Sequence, residues 1–121
     1  MELSQLFKSV LEQDTAPVLL CSLDHTVVYM NPAAVRRYSR DLTGSSILRC
    51  HNSESCAIIE KVLKWFSESP QNNIVFESYN GEENKDNYIV AMRGETGELI
   101  GYYEKHEYRN LEQSLPYSQL T

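Results

Sequence analysis

The sequence predicts an α+β fold: a five-stranded antiparallel sheet with helices inserted between strands 2 and 3 and an amphipathic helix at the N-terminus. Short runs rich in β-branched and aromatic residues fall into two groups, a pair before residue 31 and three after residue 72. Helical patterns lie ahead of the first group and between the two groups. The strand–helix–strand alternation of a parallel sheet is therefore missing, and an antiparallel sheet is favoured.

Residues 2–13 predict an amphipathic helix, because apolar side chains recur every three or four positions on one face. This apolar stripe comprises Leu3, Leu6, Phe7, Val10 and Leu11. A helix this short gains little from intrinsic propensity, so its stripe needs a cover, which we expect to be the sheet. Pro17 ends the segment, and residues 1–15 are predicted to form a capping helix ahead of the domain.

Residues 18–34 predict a strand, a tight turn, a second strand and a capped helix. Two apolar runs flank a polar break in which Asp24 can open a turn through its carboxylate. Asn31 can then cap a helix, and Pro32 fits the first turn of that helix because no backbone donor is needed there.

Two further helices are predicted, a short one at residues 32–38 and the longest one at residues 52–67. Asn52 or Ser53 can cap the long helix. Its apolar stripe is formed by Cys56, Ile59, Val62 and Phe66. Between the two helices, residues 45–49 predict a helical turn or two.

Three strands are predicted near the end of the chain, at residues 73–79, 87–93 and 98–108. The polar residues 80–86 form the loop between the first two, and residues 94–97 form a turn whose glycines permit positive φ. Side chains alternate along these strands, so that Tyr88, Val90 and Met92 share one face, and Tyr102 and Glu104 oppose Tyr103.

The hairpin and its helix resemble the opening of a PAS domain, a sensory fold. The residues that carry the resemblance are Leu23-Asp24, Val27-Val28-Tyr29, Asn31 and Ala33-Ala34. It extends through Gly44, Cys50-His51 and a closing strand with Gly101, and covers roughly residues 16–108. The most similar subgroup is the small bacterial PAS-like domain with a Cys-His pair before its long helix. Many PAS domains have glycine after the turn aspartate, whereas this sequence has His25.

The resemblance implies a non-catalytic sensory or signal-transduction module with a cavity between sheet and helices. Such a cavity would bind a small molecule or a protein partner. The resemblance also implies a homodimer formed through the N-terminal helix, and it is compatible with a signalling protein as a further partner. Residues 109–121 are predicted to form a C-terminal tail.

Within the resembled fold, the ligand-binding residues are predicted to be Cys50, His51, Cys56, Ile59, Tyr88 and Tyr103. Free N–H groups at the start of the long helix and His51 would hold a polar or anionic end of the ligand. Apolar walls with a few convergent polar groups are typical of small-molecule sites. A simpler interpretation makes Cys56 a small core residue and His51 a hydrogen-bonded elbow.

An alternative is a haem- or metal-binding redox or gas sensor that uses His51 with Cys50 or Cys56, since thiolates and imidazoles are good ligands. A closed zinc site usually takes four ligands from paired cysteines, and the sequence contains no second pair. We therefore predict no metal site and name no cofactor.

The chain carries 17 acidic and 11 basic residues, for a formal net charge of −6. A surface of this sign repels nucleic-acid phosphates and anionic lipids, so neither is expected as a direct partner. No apolar run is long enough to span a bilayer, and the first residues lack the basic start of an export signal. Three irregularly spaced cysteines favour reduced thiols, which predicts a cytoplasmic location.

Enzyme motifs are absent: the sequence has no glycine-rich phosphate loop, no Gly-x-Ser-x-Gly and no His-Glu-x-x-His. His25 and His106, in a turn and near a strand end, are expected at the surface. Arg36, Arg37 and Arg40 could grip an anionic ligand, but such a cluster more often forms a solvated face that balances acids such as Asp41.

Overall fold

The computed structural model describes residues 1–121 with the exception of the side chain of Cys50. Three α-helices and five strands follow one another along the chain: α1 (Leu3–Gln13), β1 (Val18–Ser22), β2 (Val27–Met30), α2 (Pro32–Tyr38), α3 (Ser53–Glu68), β3 (Ile74–Asn80), β4 (Lys85–Arg93) and β5 (Leu99–Tyr108). A 3₁₀ turn at Ile47–Cys50 precedes α3, and another at Tyr117–Gln119 lies in the tail.

The strands form one antiparallel sheet in the order β2-β1-β5-β4-β3. The last strand is therefore the central one, paired with β1 over Val18–Ser22 and with β4 along its whole length. This topology confirms the predicted α+β fold with its helices inserted between the second and third strands. No helix in the described part of the chain is long and apolar enough to cross a bilayer.

The hydrophobic core lies between the helices and one face of the sheet. The stripe of α3 contributes Ile59, Val62 and Phe66, all buried as predicted, and these pack with sheet residues such as Ile89 and Tyr102. Full burial of a large apolar side chain contributes about 1.5–3 kcal/mol, so this layer is the main source of stability.

The prediction that the sheet covers the α1 stripe is wrong. Leu3, Leu6, Phe7 and Val10 are between 47 and 70% exposed, and α1 contains no buried residue. The helix is held at its C-terminal end instead. Asn31 Nδ2 donates to the Leu11 carbonyl, and Tyr29 Oη donates to Glu12, so polar contacts to the β1–β2 hairpin fix the helix while its stripe points away from the core.

The expectation that His25 and His106 lie at the surface is also wrong, since they are only 8% and 9% exposed. His25 adopts φ +69°, a left-handed conformation that favours glycine, which explains why glycine is common after the turn aspartate in PAS domains. Its ring turns inward, with Nδ1 2.8 Å from Tyr102 Oη and Nε2 2.9 Å from Glu60 Oε1. These two contacts compensate the backbone conformation.

The predicted loop 80–86 is shorter in the structure, because β3 continues to Asn80 and β4 begins at Lys85. This shift of two residues moves Lys85 from a solvated loop into a strand, where its side chain is 1% exposed. A charged side chain buried to this degree needs polar partners nearby.

Candidate ligand site

A cavity of about 130 Å³ lies between the helical side of the sheet and the elements around α2 and the start of α3. Its lining is Arg37, Tyr38, His51, Glu77, Asn80, Lys85, Asn87, Tyr88, Glu104 and His106. At about 30 Å³ per molecule, the space corresponds to roughly four waters or one small solute. The lining is polar and ionisable almost throughout, unlike the mainly apolar walls of most small-molecule pockets.

Glu104 is the central residue of this cavity. Alternation along β5 turns Tyr102, Glu104 and His106 toward the helices, and Glu104 is only 7% exposed. Its Oε1 atom is buried without a hydrogen-bond partner, and His51 Nε2 lies 3.8 Å away. Burial raises the pKa of the Glu104 carboxyl to about 7, and Glu77 adds to the rise, while His51 and Lys85 oppose it.

His51 is held in place by the turn that precedes α3. Its Nδ1 atom is 3.0 Å from the Ile47 carbonyl oxygen, and Asn52 caps α3 by accepting a hydrogen bond from Ser55 N. A carbonyl oxygen can only accept, so Nδ1 carries a hydrogen and the Nε2 atom faces Glu104. His51 Nε2 and Glu104 Oε1 are compatible neighbours only when a proton or another donor lies between them.

The cations that line the cavity already have partners. Lys85 Nζ lies 2.9 Å from His106 Nδ1 and 3.3 Å from Glu83 Oε2. Arg37 binds Glu83 through two hydrogen bonds of 2.7 and 2.9 Å, so its partner is Glu83 rather than the predicted Asp41. Burial, followed by the charges of Lys85 and Arg37, lowers the pKa of His106 to about 4. His106 is therefore a neutral acceptor for the Lys85 ammonium group at pH 7.

A second acceptor in the cavity has no partner. Asn87 donates from Nδ2 to Ser78 Oγ at 3.1 Å, but its Oδ1 atom is buried and unpaired. Glu77 lies on β3 where the register to β4 is interrupted, between Phe76 and Ser78, and burial raises the pKa of its carboxyl. Buried polar atoms are nearly always hydrogen-bonded in folded proteins, so two unpaired acceptors lining one small cavity indicate a site for donors.

Solved structures with the same architecture include PAS domains. A PAS domain from Colwellia psychrerythraea superimposes with a TM-score of 0.67 at 9% identity, over 88% of this chain and 97% of that one. The PAS domain of BvgS from Bordetella pertussis superimposes with a TM-score of 0.66 at 12% identity, over 89% of this chain and 87% of that one. A sensory box sensor histidine kinase from Vibrio cholerae superimposes with a TM-score of 0.59 at 14% identity, over 86% of this chain and 87% of that one.

The chain has a PAS-like fold. The resemblance seen in the hairpin residues is thereby confirmed. No protein-family model matches the sequence, and no curated protein matches it either.

In this PAS-like fold, two of the five predicted ligand-binding residues with a described side chain, His51 and Tyr88, line the cavity. His51 lines the cavity, and Tyr88 contributes to its edge. The Tyr88 ring itself packs edge-on against Phe76, 5.6 Å between centroids, on the sheet face away from the helices. Tyr103 shares that outer face by strand alternation.

The remaining predicted residues lie outside the cavity or outside the described atoms. Ile59 is 1% exposed within the hydrophobic core. Cys56 is half-buried, with Sγ 3.5 Å from the Leu48 carbonyl, and it is not part of the cavity lining. The side chain of Cys50 lies outside the described part of the structure.

Eight lining residues were not among the predicted ligand-binding residues: Arg37, Tyr38, Glu77, Asn80, Lys85, Asn87, Glu104 and His106. The sequence contained a signal for two of them, because Glu104 and His106 lie two and four residues after Tyr102 and therefore share its face of β5. Charged residues that share a face with a buried tyrosine indicate a polar interior when the strand is central.

The haem or metal alternative finds no support in this geometry. Within the described residues, no group of three or more His, Cys, Asp or Glu side chains is arranged to hold a metal ion. A cavity of about 130 Å³ is also well below the roughly 300–1,000 Å³ of sites for larger ligands.

Proposed function

We propose that this PAS-like domain is a non-catalytic sensory module that binds a small molecule in the cavity between its sheet and helices. The observation that carries the proposal is the Oε1 atom of Glu104, which is buried in the cavity without a partner. An unpaired buried acceptor costs about 1–3 kcal/mol, and more when it is charged. A bound molecule that donates a hydrogen bond to it would recover that free energy.

Binding at this position has a direct route to the rest of the domain. The cavity is bounded by α2, by His51 ahead of α3, and by strands β3, β4 and β5. The β5 strand pairs with β1 over five residue pairs, and β1 follows α1 after a short connection. A shift of β5 on binding would therefore move β1 and the end of α1 together, which is how a ligand could change the state of a partner. The similar structure from Vibrio cholerae belongs to a sensor histidine kinase, in keeping with such a role.

The occupancy of the cavity can be tested on protein purified from cells. Native mass spectrometry should detect a small-molecule mass excess on the wild-type protein that disappears on denaturation. His51→Ala should reduce the bound fraction at least fivefold, because it removes the ring that faces Glu104. Cys56→Ser is the matched control, since the Cys56 thiol lies against the backbone carbonyls of Leu48 and His51 outside the cavity lining and should keep wild-type occupancy. Equal spectra for wild type and His51→Ala, with no mass excess in either, would count against binding.

The exposed stripe of α1 supports a homodimer as part of this proposal. Four large apolar side chains, Leu3, Leu6, Phe7 and Val10, share one exposed helix face. Exposed apolar patches of this kind mark interaction sites, and a second copy of α1 would cover the stripe symmetrically. A signalling protein that binds the same stripe is the other partner that this surface could take. Cys21 and Cys56 are free thiols, which suits the cytoplasmic location that we propose.

Phe7→Asp should convert the dimer to a monomer, because it places a charge in the centre of the apolar interface. Sedimentation velocity at tens of micromolar should give a dimer for the wild type and a monomer for Phe7→Asp. Ser9→Asp adds the same charge outside the stripe and should remain dimeric. A wild-type protein that sediments as a monomer would contradict the homodimer.

A further inference from the structure

The charges around the cavity are not balanced. Arg37 and Lys85 supply two positive charges, whereas Glu77, Glu83 and Glu104 supply three negative charges when all are ionised. His106 accepts from Lys85 and is neutral at pH 7. Without His51, these five side chains have one negative charge in excess when all the carboxyl groups are ionised, and buried groups tolerate an uncompensated charge poorly.

The excess negative charge lies at the Glu104 end of the cavity, because Arg37 and Lys85 are both paired at the opposite end. Arg37 and Lys85 both bind Glu83, and Lys85 also binds His106. Glu104 at the other end has His51 Nε2 at 3.8 Å and no hydrogen bond to Oε1. An anion would find the cations occupied and would face the unpaired acceptors. A cation would meet the uncompensated charge.

The two unpaired acceptors lie on neighbouring strands within reach of a single small molecule. Asn87 is opposite His106 in the β4–β5 ladder, and Glu104 is two residues before His106 on the same face. Such diagonal neighbours have backbones about 7–8 Å apart, with their side-chain oxygens extending into the same space. A planar or tetrahedral nitrogen group placed between them could donate to both.

We propose that the cavity binds a small organic cation whose ammonium or guanidinium-like N–H groups bridge Glu104 Oε1 and Asn87 Oδ1. This inference rests on the proposed function, because it names the class of molecule that the same cavity takes. The volume of about 130 Å³ limits the buried part of the ligand to a few heavy atoms. A bare metal cation fits less well, because the described residues offer no cluster of three ligating side chains.

Two probes of similar shape separate charge from hydrogen bonding: guanidinium, which is cationic, and urea, which is neutral. Both are added at low millimolar concentration, far below denaturing levels, with ionic strength held constant by NaCl. Binding is followed through the NMR signals of the His51 ring in the full chain. Guanidinium should bind at least tenfold more tightly than urea, and acetate should not shift the His51 signals.

Glu104→Gln should weaken guanidinium binding at least tenfold, whereas Glu107→Gln, which removes a charge at an exposed position of the same strand, should leave it unchanged. Binding of guanidinium by the wild type should also strengthen from pH 6 to pH 8, because Glu104 loses its proton in that range. The other ionisable groups facing the site, namely Arg37, His51, Glu77, Lys85 and His106, are unchanged in the Glu104→Gln variant.

Equal affinity for urea and guanidinium would overturn the cationic class, and so would full guanidinium binding by Glu104→Gln. If acetate or urea binds and shifts His51, a small-molecule site exists and only the cationic assignment fails. If no probe shifts His51 and no ligand is retained in native mass spectra, the cavity proposal fails with it.

Discussion

Replacing Glu104 with glutamine should stabilise the ligand-free protein by about 3 to 4 kcal/mol at pH 8, yet change its stability by less than about 1 kcal/mol at pH 4. The cause is the burial of the carboxylate in a cavity where Oε1 has no partner. Burial raises the pKa of Glu104 from 4.5 to about 7, and each pKa unit corresponds to about 1.4 kcal/mol. Glutamine has a similar shape and never carries the charge.

The sign follows from proton binding. Between pH 4.5 and about 7 the folded protein holds the Glu104 proton and the unfolded chain does not, so this residue lowers stability as the pH rises. Below pH 4.5 the proton is bound in both states and the penalty vanishes. The stability gap between Glu104→Gln and wild type should therefore open through this window and level off above pH 7.

His106 acts in the opposite direction over an overlapping range. Its folded pKa is lowered from 6.5 to about 4, so the unfolded chain binds the extra proton and stability rises with pH between these values. In the wild type the two residues offset each other, and the stability profile should be nearly flat between pH 5 and 6.5. Glu104→Gln removes the contribution of Glu104 and leaves that of His106, so the stability of this variant should fall as the pH is lowered from 6.5 to 5.

Urea unfolding at half-unit pH intervals, monitored by circular dichroism, measures these differences directly. Glu107→Gln provides the control, because Glu107 is exposed on the same strand and its loss should shift stability by no more than about 0.5 kcal/mol at any pH. A Glu104→Gln variant that is less stable than wild type at pH 8 would show that the carboxylate is well compensated in the ligand-free protein. The cavity would then have no excess charge to offer a cation.

The fold was predictable because local patterns fix its elements. Period-two alternation identified β4 and β5, a broad apolar stripe identified α3, and Asn31 followed by Pro32 marked the start of α2. These signals depend on neighbours within a few residues, so they survive without tertiary information.

The site was harder to predict from the sequence than the fold, because its composition depends on which sheet face the helices cover. Alternation placed Tyr103 opposite Glu104 and grouped Tyr88 with Val90 and Met92, but the sequence does not say which face of each strand points inward, and aromatic residues are common in ligand-binding walls. In the structure, Tyr102, Glu104 and His106 point toward the helices. Lys85 was missed for a second reason: β4 begins two residues earlier than predicted, at Lys85 rather than Asn87.

Asn31 shows the same limit, in that its local role was evident and its long-range role was not. Its Oδ1 accepts from Ala34 N at 2.9 Å as the predicted cap of α2, and also from Val18 N at 2.9 Å. Its Nδ2 donates to the carbonyls of Leu11 and Ala16 at 3.0 and 2.9 Å. All four hydrogen-bonding positions of one fully buried amide are therefore filled, and they join α1, β1 and α2.

Asn31→Ala should destabilise the protein by about 3–5 kcal/mol, because several backbone groups lose their partner in a buried place. Asn31→Asp separates the two halves of the amide. An aspartate keeps the acceptor for Val18 N and Ala34 N, but it turns its second oxygen against the carbonyls of Leu11 and Ala16, where the donors were. The core should survive this change while the attachment of α1 is lost.

Hydrogen exchange followed by NMR resolves these regions. In Asn31→Asp the amides of α1 should lose at least tenfold in protection, since a detached helix of 11 residues is marginal in water. Amides of β1 and β5 should keep most of their protection. Asn52→Asp is the control: Asn52 caps α3 only through its Oδ1 and is exposed, so aspartate should replace it with little effect.

Because the exposed stripe of α1 is the proposed dimer surface, Asn31→Asp should also weaken the dimer without altering any residue of the stripe. Sedimentation of Asn31→Asp against Phe7→Asp compares these two causes, loss of attachment and loss of apolar contact. A dimer that is unchanged in Asn31→Asp while α1 loses protection would mean that α1 is not the interface. Unchanged protection of α1 would instead mean that contacts other than the Asn31 amide hold the helix, and that the route from β1 to α1 does not run through this residue.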